Sequence, residues 1–250
     1  MATHTLTARF WLIAVLALLA ASVMLRLGFW QWSRAGEKRQ LQQVIEARAA
    51  LPPLDNIALA GSAGATPARM HRRVSLRGRW LEQHTVYLEN RQMDGKPGFY
   101  LLTPLQLDGM PGSVVLVQRG WLQRNFSDRT ALPELPTDGG VVQVEGRIAP
   151  PPAKLYEFAA QPLGRIRQNL DLTAYARETG LPLADYSILQ TGRSADGLRR
   201  DWAPIETGID KHLGYAFQWF ALGGLIVILF VWFQIVRRFF FPRKPAAPRG

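Results

Sequence analysis

The chain has 250 residues, no cysteine and a formal net charge of +11. The lack of cysteine excludes a thiolate nucleophile, a covalently attached c-type haem and cysteine-based zinc or copper sites. Residues 37–210 hold all 19 acidic and 21 of the 30 basic residues, so the net charge there is only +2, and the other nine basic residues flank two apolar segments. Membrane topology and anionic lipid explain such flanking charges, and we therefore exclude nucleic acid as a partner.

The first predicted element is a transmembrane helix at residues 10–30, an apolar run close to the ~20 residues that cross a bilayer. A cleaved signal peptide is the alternative, because "LLAAS" offers small residues to a peptidase, but the apolar run continues past that point and favours an uncleaved anchor. Residues 37–48 carry apolar side chains at helical spacing, which predicts that the helix continues beyond the membrane until Pro52 and Pro53.

Short β-like runs punctuated by Gly, Pro and Asp follow: "RRVSLRGRW", "TVYLENR", "GFYLLTPLQL", "SVVLVQRGWL" and "VVQVEGRI". Such spacing predicts an antiparallel sheet closed into a barrel or a sandwich. Farther on, "DLTAYARETG" predicts a short helix with Asp171 as N-cap and Gly180 as its stop, and "DYSILQ" predicts one more strand. We predict a single β-rich extramembrane domain with short helices at residues 31–211.

The second transmembrane helix is predicted at residues 212–236. The tail at residues 237–250 carries five basic and no acidic residues, which predicts a cytoplasmic C-terminus. Two spans then place residues 1–9 in the cytoplasm and the main domain on the opposite side, although Arg26, Arg34, Lys38 and Arg39 lie at or just beyond the far end of the first span. No Arg-rich and Ser-rich transit peptide precedes that span, which favours a bacterial inner membrane and a periplasmic domain.

The chain has only four histidines, His4, His71, His84 and His212, and none of them stands three or four residues from another. Zinc and copper sites are therefore not indicated, and no H-E-x-x-H or G-x-S-x-G motif indicates a hydrolase. A hydrolase would need His71 or His84 to meet a buried serine and an aspartate in the folded domain. We predict that the protein is not an enzyme.

One stripe of the second span carries an ionisable residue and aromatic residues around small ones: His212, Tyr215, Ala216, Trp219, Gly223 and Phe230. The first span has a matching stripe of mostly small residues: Ala14, Ala21, Leu25 and Gly28. These stripes predict close packing of the two helices. His212 is then either an interfacial histidine that hydrogen-bonds a headgroup or a backbone carbonyl, or an axial ligand of haem iron with Trp219 about two turns deeper.

Six blocks resemble the surfeit locus protein one family, which are assembly factors of cytochrome c oxidase: "LGFWQWSRAGEK", "GRW", "PGFYLLTPL", "VLVQRGWL", "EGRI" and "HLGYAFQWF". The resemblance implies two transmembrane helices around an exposed domain and a role in placing haem a into the catalytic subunit. Two departures from the family pattern leave the oxidase subtype open. Gln118 stands where an asparagine is common, and "DK" precedes His212.

The resemblance further implies that His212 is the axial ligand of the haem iron. The residues expected to bind the haem a cargo are His212, Trp219, Tyr215, Trp30, Gln31 and Arg34. Arg34 is expected to contact a haem propionate. The implied partners are the catalytic subunit of cytochrome c oxidase, a haem a synthase and the lipid bilayer. The alternative is a scaffold that stabilises oxidase subunits without touching haem, with His212 as a packing residue.

Overall fold

The computed structural model describes residues 8–60, 67–125, 139–156, 164–192, 196–203, 208–237 and 240. The chain divides into two compact units. One unit comprises Met1–Gln43 and Ile205–Gly250 and contains the two apolar helices. The other unit comprises Val44–Pro204 and contains the β-sheet with short helices. The predicted membrane protein with two apolar helices flanking a β-rich domain is confirmed.

The two apolar helices are long enough to cross a bilayer. Helix α1 covers Ala8–Ala50, and the second apolar helix, Ile209–Phe230, continues as a π-helix over Val231–Val236. Only 11% and 6% of the residues in their most apolar windows are buried, whereas the core helix of a soluble protein would be mostly buried. The predicted continuation of α1 is confirmed, because the helix ends two residues before Pro52.

The described residues of the β-rich unit form seven strands: β1 Arg73–Trp80, β2 Val86–Met93, β3 Lys96–Leu107, β4 Val114–Gln123, β5 Val142–Ala149, β6 Ile166–Arg167 and β7 Leu183–Gln190. Five of them form a closed barrel in the order β1, β5, β7, β4, β3, because β3 also pairs with β1. Strands β2 and β6 extend the sheet beyond β3. The prediction of a barrel or a sandwich thus resolves to a barrel.

The sheet is not wholly antiparallel, which corrects one part of the prediction. Strand β7 runs parallel to β4, and β6 runs parallel to β2. Tight hairpins join only antiparallel strands, whereas a parallel pair needs a longer connection. The chain from β4 to β7 and the chain from β2 to β6 are long enough for this, and the former includes the short helix α3, Leu172–Thr179. A further short helix, α2, covers Asn56–Ala60, and the second apolar helix is hereafter α4.

Helix α3 has the ends that its sequence predicts. The side chain of Asp171 accepts a hydrogen bond from the backbone N–H of Ala174, which satisfies one of the free donors at the helix start. Gly180 ends the helix with φ of 68°, a left-handed conformation that glycine adopts without steric cost. Leu172 and Tyr175 bury the inner face of the helix against the sheet.

The barrel is filled by branched aliphatic side chains from the inward-facing positions of its strands: Leu76, Leu105, Val117, Ile148 and Ile188, each at most 1% exposed. A second cluster lies beneath α3 and includes Leu88, Leu102 and Leu116. The alternation of inward apolar and outward polar residues along β1, most regular from Arg73 to Gly78, follows from the two-residue period of a strand.

Candidate functional site

Helices α1 and α4 pack against each other in opposite directions. Four contacts join them in order along the pair: Phe10 with Phe230, Met24 with Gly223, Gly28 with Phe220, and Gln31 with His212. Residue numbers rise along α1 as they fall along α4, so the two helices are antiparallel. The end of the pair that holds Gln31 and His212 is therefore the end nearest to the chain that connects the helices.

Small residues let the two helices approach closely. A Cβ on Gly223 would lie 3.3 Å from the Cβ of Met24, and a Cβ on Gly28 would lie only 2.6 Å from Cε1 of Phe220. Ala216 and Ala21 are 1% and 6% exposed. The predicted packing through small residues is thus confirmed, and it has the van der Waals character usual between helices in lipid, where no hydrophobic force drives association.

The ring of His212 is held by a side chain of the other helix. Its Nδ1 lies 2.7 Å from Oε1 of Gln31, and the backbone N–H of His212 donates to the carbonyl of Gly208 at 3.3 Å. Because an amide oxygen can only accept, Nδ1 carries the proton in this hydrogen bond. In the neutral ring the other nitrogen, Nε2, then has a free lone pair, which is the form that binds a metal.

Gln31 is the partner that the sequence stripe left out. The resemblance implies that Gln31 is a site residue, but the stripe of mostly small residues on α1, which includes Ala21 and Gly28, does not contain it. Gln31 lies three residues after Gly28, a spacing that puts both on one helix face. A polar side chain on an otherwise small and apolar face was the available signal, since such residues hydrogen-bond across helices in membranes.

The other predicted site residues lie on one side of the Gln31–His212 pair: Trp30 and Arg34 on α1, and Tyr215 and Trp219 on α4. Successive residues are rotated by about 100° around a helix axis. Around the axis of α1, Trp30 lies about 100° and Arg34 about 60° from Gln31, both in the same rotational direction. The two α4 residues are displaced from His212 by about 60° and 20°. Because the helices are antiparallel, these displacements point to the same side of the pair.

The aromatic rings on this side are accessible, whereas the charged residue already has a partner. Trp30 is 53% exposed and Tyr215 is 42% exposed, and Trp219 is partly buried. Nη1 of Arg34 donates to Oε2 of Glu37 at 2.8 Å, with both side chains more than half exposed. An exposed ion pair of this kind is worth at most about 1 kcal/mol, so a competing carboxylate can replace Glu37.

Exposed tryptophans mark two levels along α1. Trp11 is 57% exposed, and Trp30 and Trp32 are 53% and 61% exposed. Nineteen residues of helix separate the first two, a rise of about 28 Å, which matches the ~30 Å hydrocarbon core of a bilayer. Tryptophan favours the membrane–water boundary, so this spacing predicts that Gln31 lies at the boundary itself.

Comparison with known sequences finds a family whose model matches most of the chain. The model of the SURF1 family matches residues 18–224, from within α1 to within α4. The chain belongs to the SURF1 family. SURF1-like proteins of Rickettsia felis and Rickettsia conorii are each 27% identical to it, over 87% and 86% of this chain and 94% and 88% of theirs. A SURF1-like protein of Dictyostelium discoideum is 33% identical over 38% of this chain and 37% of its own.

The SURF1 blocks that fall within the barrel are explained by packing. A Cβ on Gly98 would lie 2.3 Å from the carbonyl oxygen of Leu122, and one on Gly78 would lie 2.4 Å from that of Gln106. The indole of Trp121 is buried and donates to a backbone carbonyl at 2.9 Å. These positions need glycine or a well-packed indole for steric reasons, whatever the protein binds.

Arg119, which lies in the same SURF1 block as Trp121, also has a structural role. Arg119 is 4% exposed, its guanidinium lies 4.5 Å from the centre of the Trp80 ring, and Nη2 lies 3.8 Å from the carboxylate of Asp196. Burial lowers the pKa of Arg119, and the nearby carboxylate of Asp196 opposes this effect. The contacts tie Arg119 to β1 and to the chain after β7.

Among the described residues, His71 and the buried Ser187 contact other groups and not each other. Nδ1 of His71 faces Nη1 of Arg147 at 3.5 Å. Buried Ser187 accepts from Nε2 of Gln118 at 2.8 Å and donates to the carbonyl of Pro150 at 2.7 Å. Within the part of the chain that the structure describes, no three His, Cys, Asp or Glu residues converge to hold a metal ion. His4 lies outside the described residues.

Proposed function

We propose that this SURF1 family member is an assembly factor for cytochrome c oxidase, which carries haem a at the outer edge of the bilayer and delivers it to the catalytic subunit. In this proposal the haem is cargo, and the protein catalyses no covalent chemistry. The observation that supports it is the hydrogen bond between His212 and Gln31, because the bond leaves Nε2 of the imidazole with a free lone pair.

The side chains around His212 suit a flat macrocycle. A single imidazole holds a bare metal ion weakly, but a porphyrin supplies four further nitrogen ligands and needs only an axial one. The exposed rings of Trp30 and Tyr215 offer apolar surface on one side of the Gln31–His212 pair. Single-histidine ligation also suits a carrier, since the cargo has to leave.

The propionates of the haem would lie toward the water. Arg34 lies one turn after Trp30 along α1 and is more than half exposed. A propionate would take the place of Glu37 on its guanidinium, an exchange of one carboxylate for another. The tryptophan levels of α1 and the basic C-terminal tail support a bacterial inner-membrane location, with both termini in the cytoplasm and the barrel in the periplasm. In this proposal a haem a synthase is the donor of the cargo.

The proposal is tested by co-expressing the full chain with a haem a synthase and recording the visible spectrum of the purified protein. Wild type should show a Soret band, and His212→Ala should lose it. His84→Ala is the matched control, because it removes an imidazole of the barrel and should keep the band. A colourless wild type would overturn the haem proposal.

A non-haem scaffold is the second candidate function, and the same hydrogen bond is the observation that favours it. The hydrogen bond from His212 to Gln31 joins the two helices, so it explains a histidine at this position by helix packing alone, without a ligand. The two functions differ in the cell. In a strain that lacks its own SURF1 protein, His212→Ala should fail to restore haem-containing oxidase if the protein carries haem. Full oxidase assembly by that variant would support the scaffold.

A further inference from the structure

Gln31 and His212 meet across two helices, and the geometry of their contact determines the position of a proton. The Nδ1 to Oε1 distance is 2.7 Å, and the amide oxygen has no proton to give. A free neutral imidazole exchanges its proton between the two nitrogens, whereas here one nitrogen is held as the donor. The ring is thereby fixed both in rotation and in tautomer, with Nε2 unprotonated.

The chemical type of the partner is informative as well. Histidines that bind metals usually donate their second N–H to a carboxylate, a backbone carbonyl or water, and the partner raises the basicity of the ligating nitrogen. An amide oxygen is a weaker acceptor than a carboxylate because it carries no net charge. Gln31 therefore orients the ring as a carboxylate would, but it strengthens the metal bond less. An amide also avoids placing an anion beside apolar helices, which is costly.

We infer that Gln31 is a positioning residue that sets both the direction and the strength of the His212 ligand. It presents Nε2 to the haem iron, and as an uncharged acceptor it keeps the iron–nitrogen bond weak enough for transfer. This inference rests on the proposed function. It adds that Gln31 governs how long the protein retains the haem.

The tautomer is measurable without haem. In the full-length protein in detergent at pH 8, labelled with ¹⁵N-histidine, the His212 signals are those absent from His212→Ala. Wild type should show a protonated Nδ1 and an unprotonated Nε2. In Gln31→Leu the two nitrogens should give averaged shifts from both tautomers. A wild-type ring protonated at Nε2 would overturn the inference, whatever the haem experiments show.

Ligand strength is measured with haem b as the probe. The full-length protein is loaded with haem b, mixed with excess apomyoglobin, and the rate of haem transfer is followed by absorbance. Mutation of a residue that hydrogen-bonds a metal ligand typically changes the metal affinity by about 10–100-fold. Gln31→Glu, with a stronger acceptor, should therefore slow haem transfer by at least ~10-fold, and Gln31→Leu, with no acceptor, should accelerate it similarly. Gln43→Glu, an exposed site on the same helix, is the matched control and should leave the rate unchanged.

A failure of the proposed function and a failure of the inference about Gln31 give different results. If wild type binds no haem b and no haem a, the proposed function fails, while the tautomer measurement still tests the role of Gln31. If wild type binds haem through His212 but all Gln31 variants transfer it at the wild-type rate, the proposed function stands and the inference about Gln31 is overturned.

Discussion

Phe220 lies directly against Gly28, which is one turn of α1 from Gln31, the hydrogen-bond partner of His212. A Cβ on Gly28 would lie 2.6 Å from Cε1 and 2.8 Å from Cδ1 of the ring, closer than any real Cβ contact. The ring also packs edge-on against Phe29 at 5.2 Å. The absence of a side chain at Gly28 therefore sets the distance between the helices at the point where the polar side chains have to meet.

Gly28→Ala should separate the helices locally and break the Gln31–His212 hydrogen bond, because the Phe220 ring has to shift to admit the methyl group. We expect haem retention after co-expression to fall by at least ~10-fold, the scale on which partners of metal ligands act. Gly224→Ala is the control, since a Cβ there meets no atom within 4 Å. Adding Phe220→Leu to Gly28→Ala should restore part of the retention. Unchanged retention in Gly28→Ala would contradict the role given to this contact.

Gly98→Ala should destabilise the barrel. The new Cβ would lie 2.3 Å from the carbonyl oxygen of Leu122 and 2.4 Å from the indole of Trp121, and backbone cannot move aside as a flexible side chain can. We expect a loss of about 3 kcal/mol in the free energy of unfolding. Urea denaturation of the full-length protein, followed by tryptophan fluorescence, measures it. Gly140→Ala meets no atom within 4 Å and should unfold at the wild-type urea concentration.

The ion pair between Arg167 and Glu178 should make the barrel unit sensitive to acid. Arg167 donates from Nη1 to Oε2 of Glu178 at 2.7 Å, and this hydrogen bond lowers the pKa of Glu178 below its usual 4.5. A carboxyl group with a lowered folded pKa stabilises the protein above pH 4.5, and that stabilisation is lost as the pH falls through the folded pKa. Glu178→Gln should unfold more easily than wild type at pH 7, and the difference should shrink as the pH falls below 4.5 and through the lowered pKa of Glu178.

His71 should have a pH effect in a different range. Burial and the charges of Arg147 and Arg48 lower its pKa below 6.5. The unfolded chain then binds a proton at a pH where the folded protein does not, so stability falls as the pH drops from 6.5 toward the folded pKa. His71 has φ of 70°, a conformation that asparagine tolerates. His71→Asn should therefore keep the fold and lose this pH dependence, and thermal unfolding at pH 5 to 7 would show it.

The predicted topology can be tested because the chain has no cysteine. A single cysteine at Gly139, whose Cβ position is open, should react with a membrane-impermeant maleimide in intact cells with a permeable outer membrane. A single cysteine at Ala247, in the basic tail, should react only after the inner membrane is lysed. The reverse pattern would show that the barrel lies in the cytoplasm and would contradict the proposed site of haem delivery.

Much of the fold was predictable because it depends on local patterns. The apolar run of α1, its end before Pro52 and the caps of α3 at Asp171 and Gly180 were all predicted from nearby residues. The alternating runs predicted the barrel strands. The parallel pairing of β7 with β4 was not predictable in this way, because strand direction depends on where a long connection leads, and no local pattern records that.

For the candidate site, the sequence by itself determined that His212 stands at the edge of an apolar helix and that small residues face a second helix. Only the tertiary structure decided which atom the imidazole meets, since Gln31 lies 181 residues away along the chain. Hydrophobic periodicity is a property of one helix and tells which face is buried. The partner of a polar atom depends on the rotation and the separation of two helices, and the lack of a side chain at Gly28 permits the close approach of Phe220.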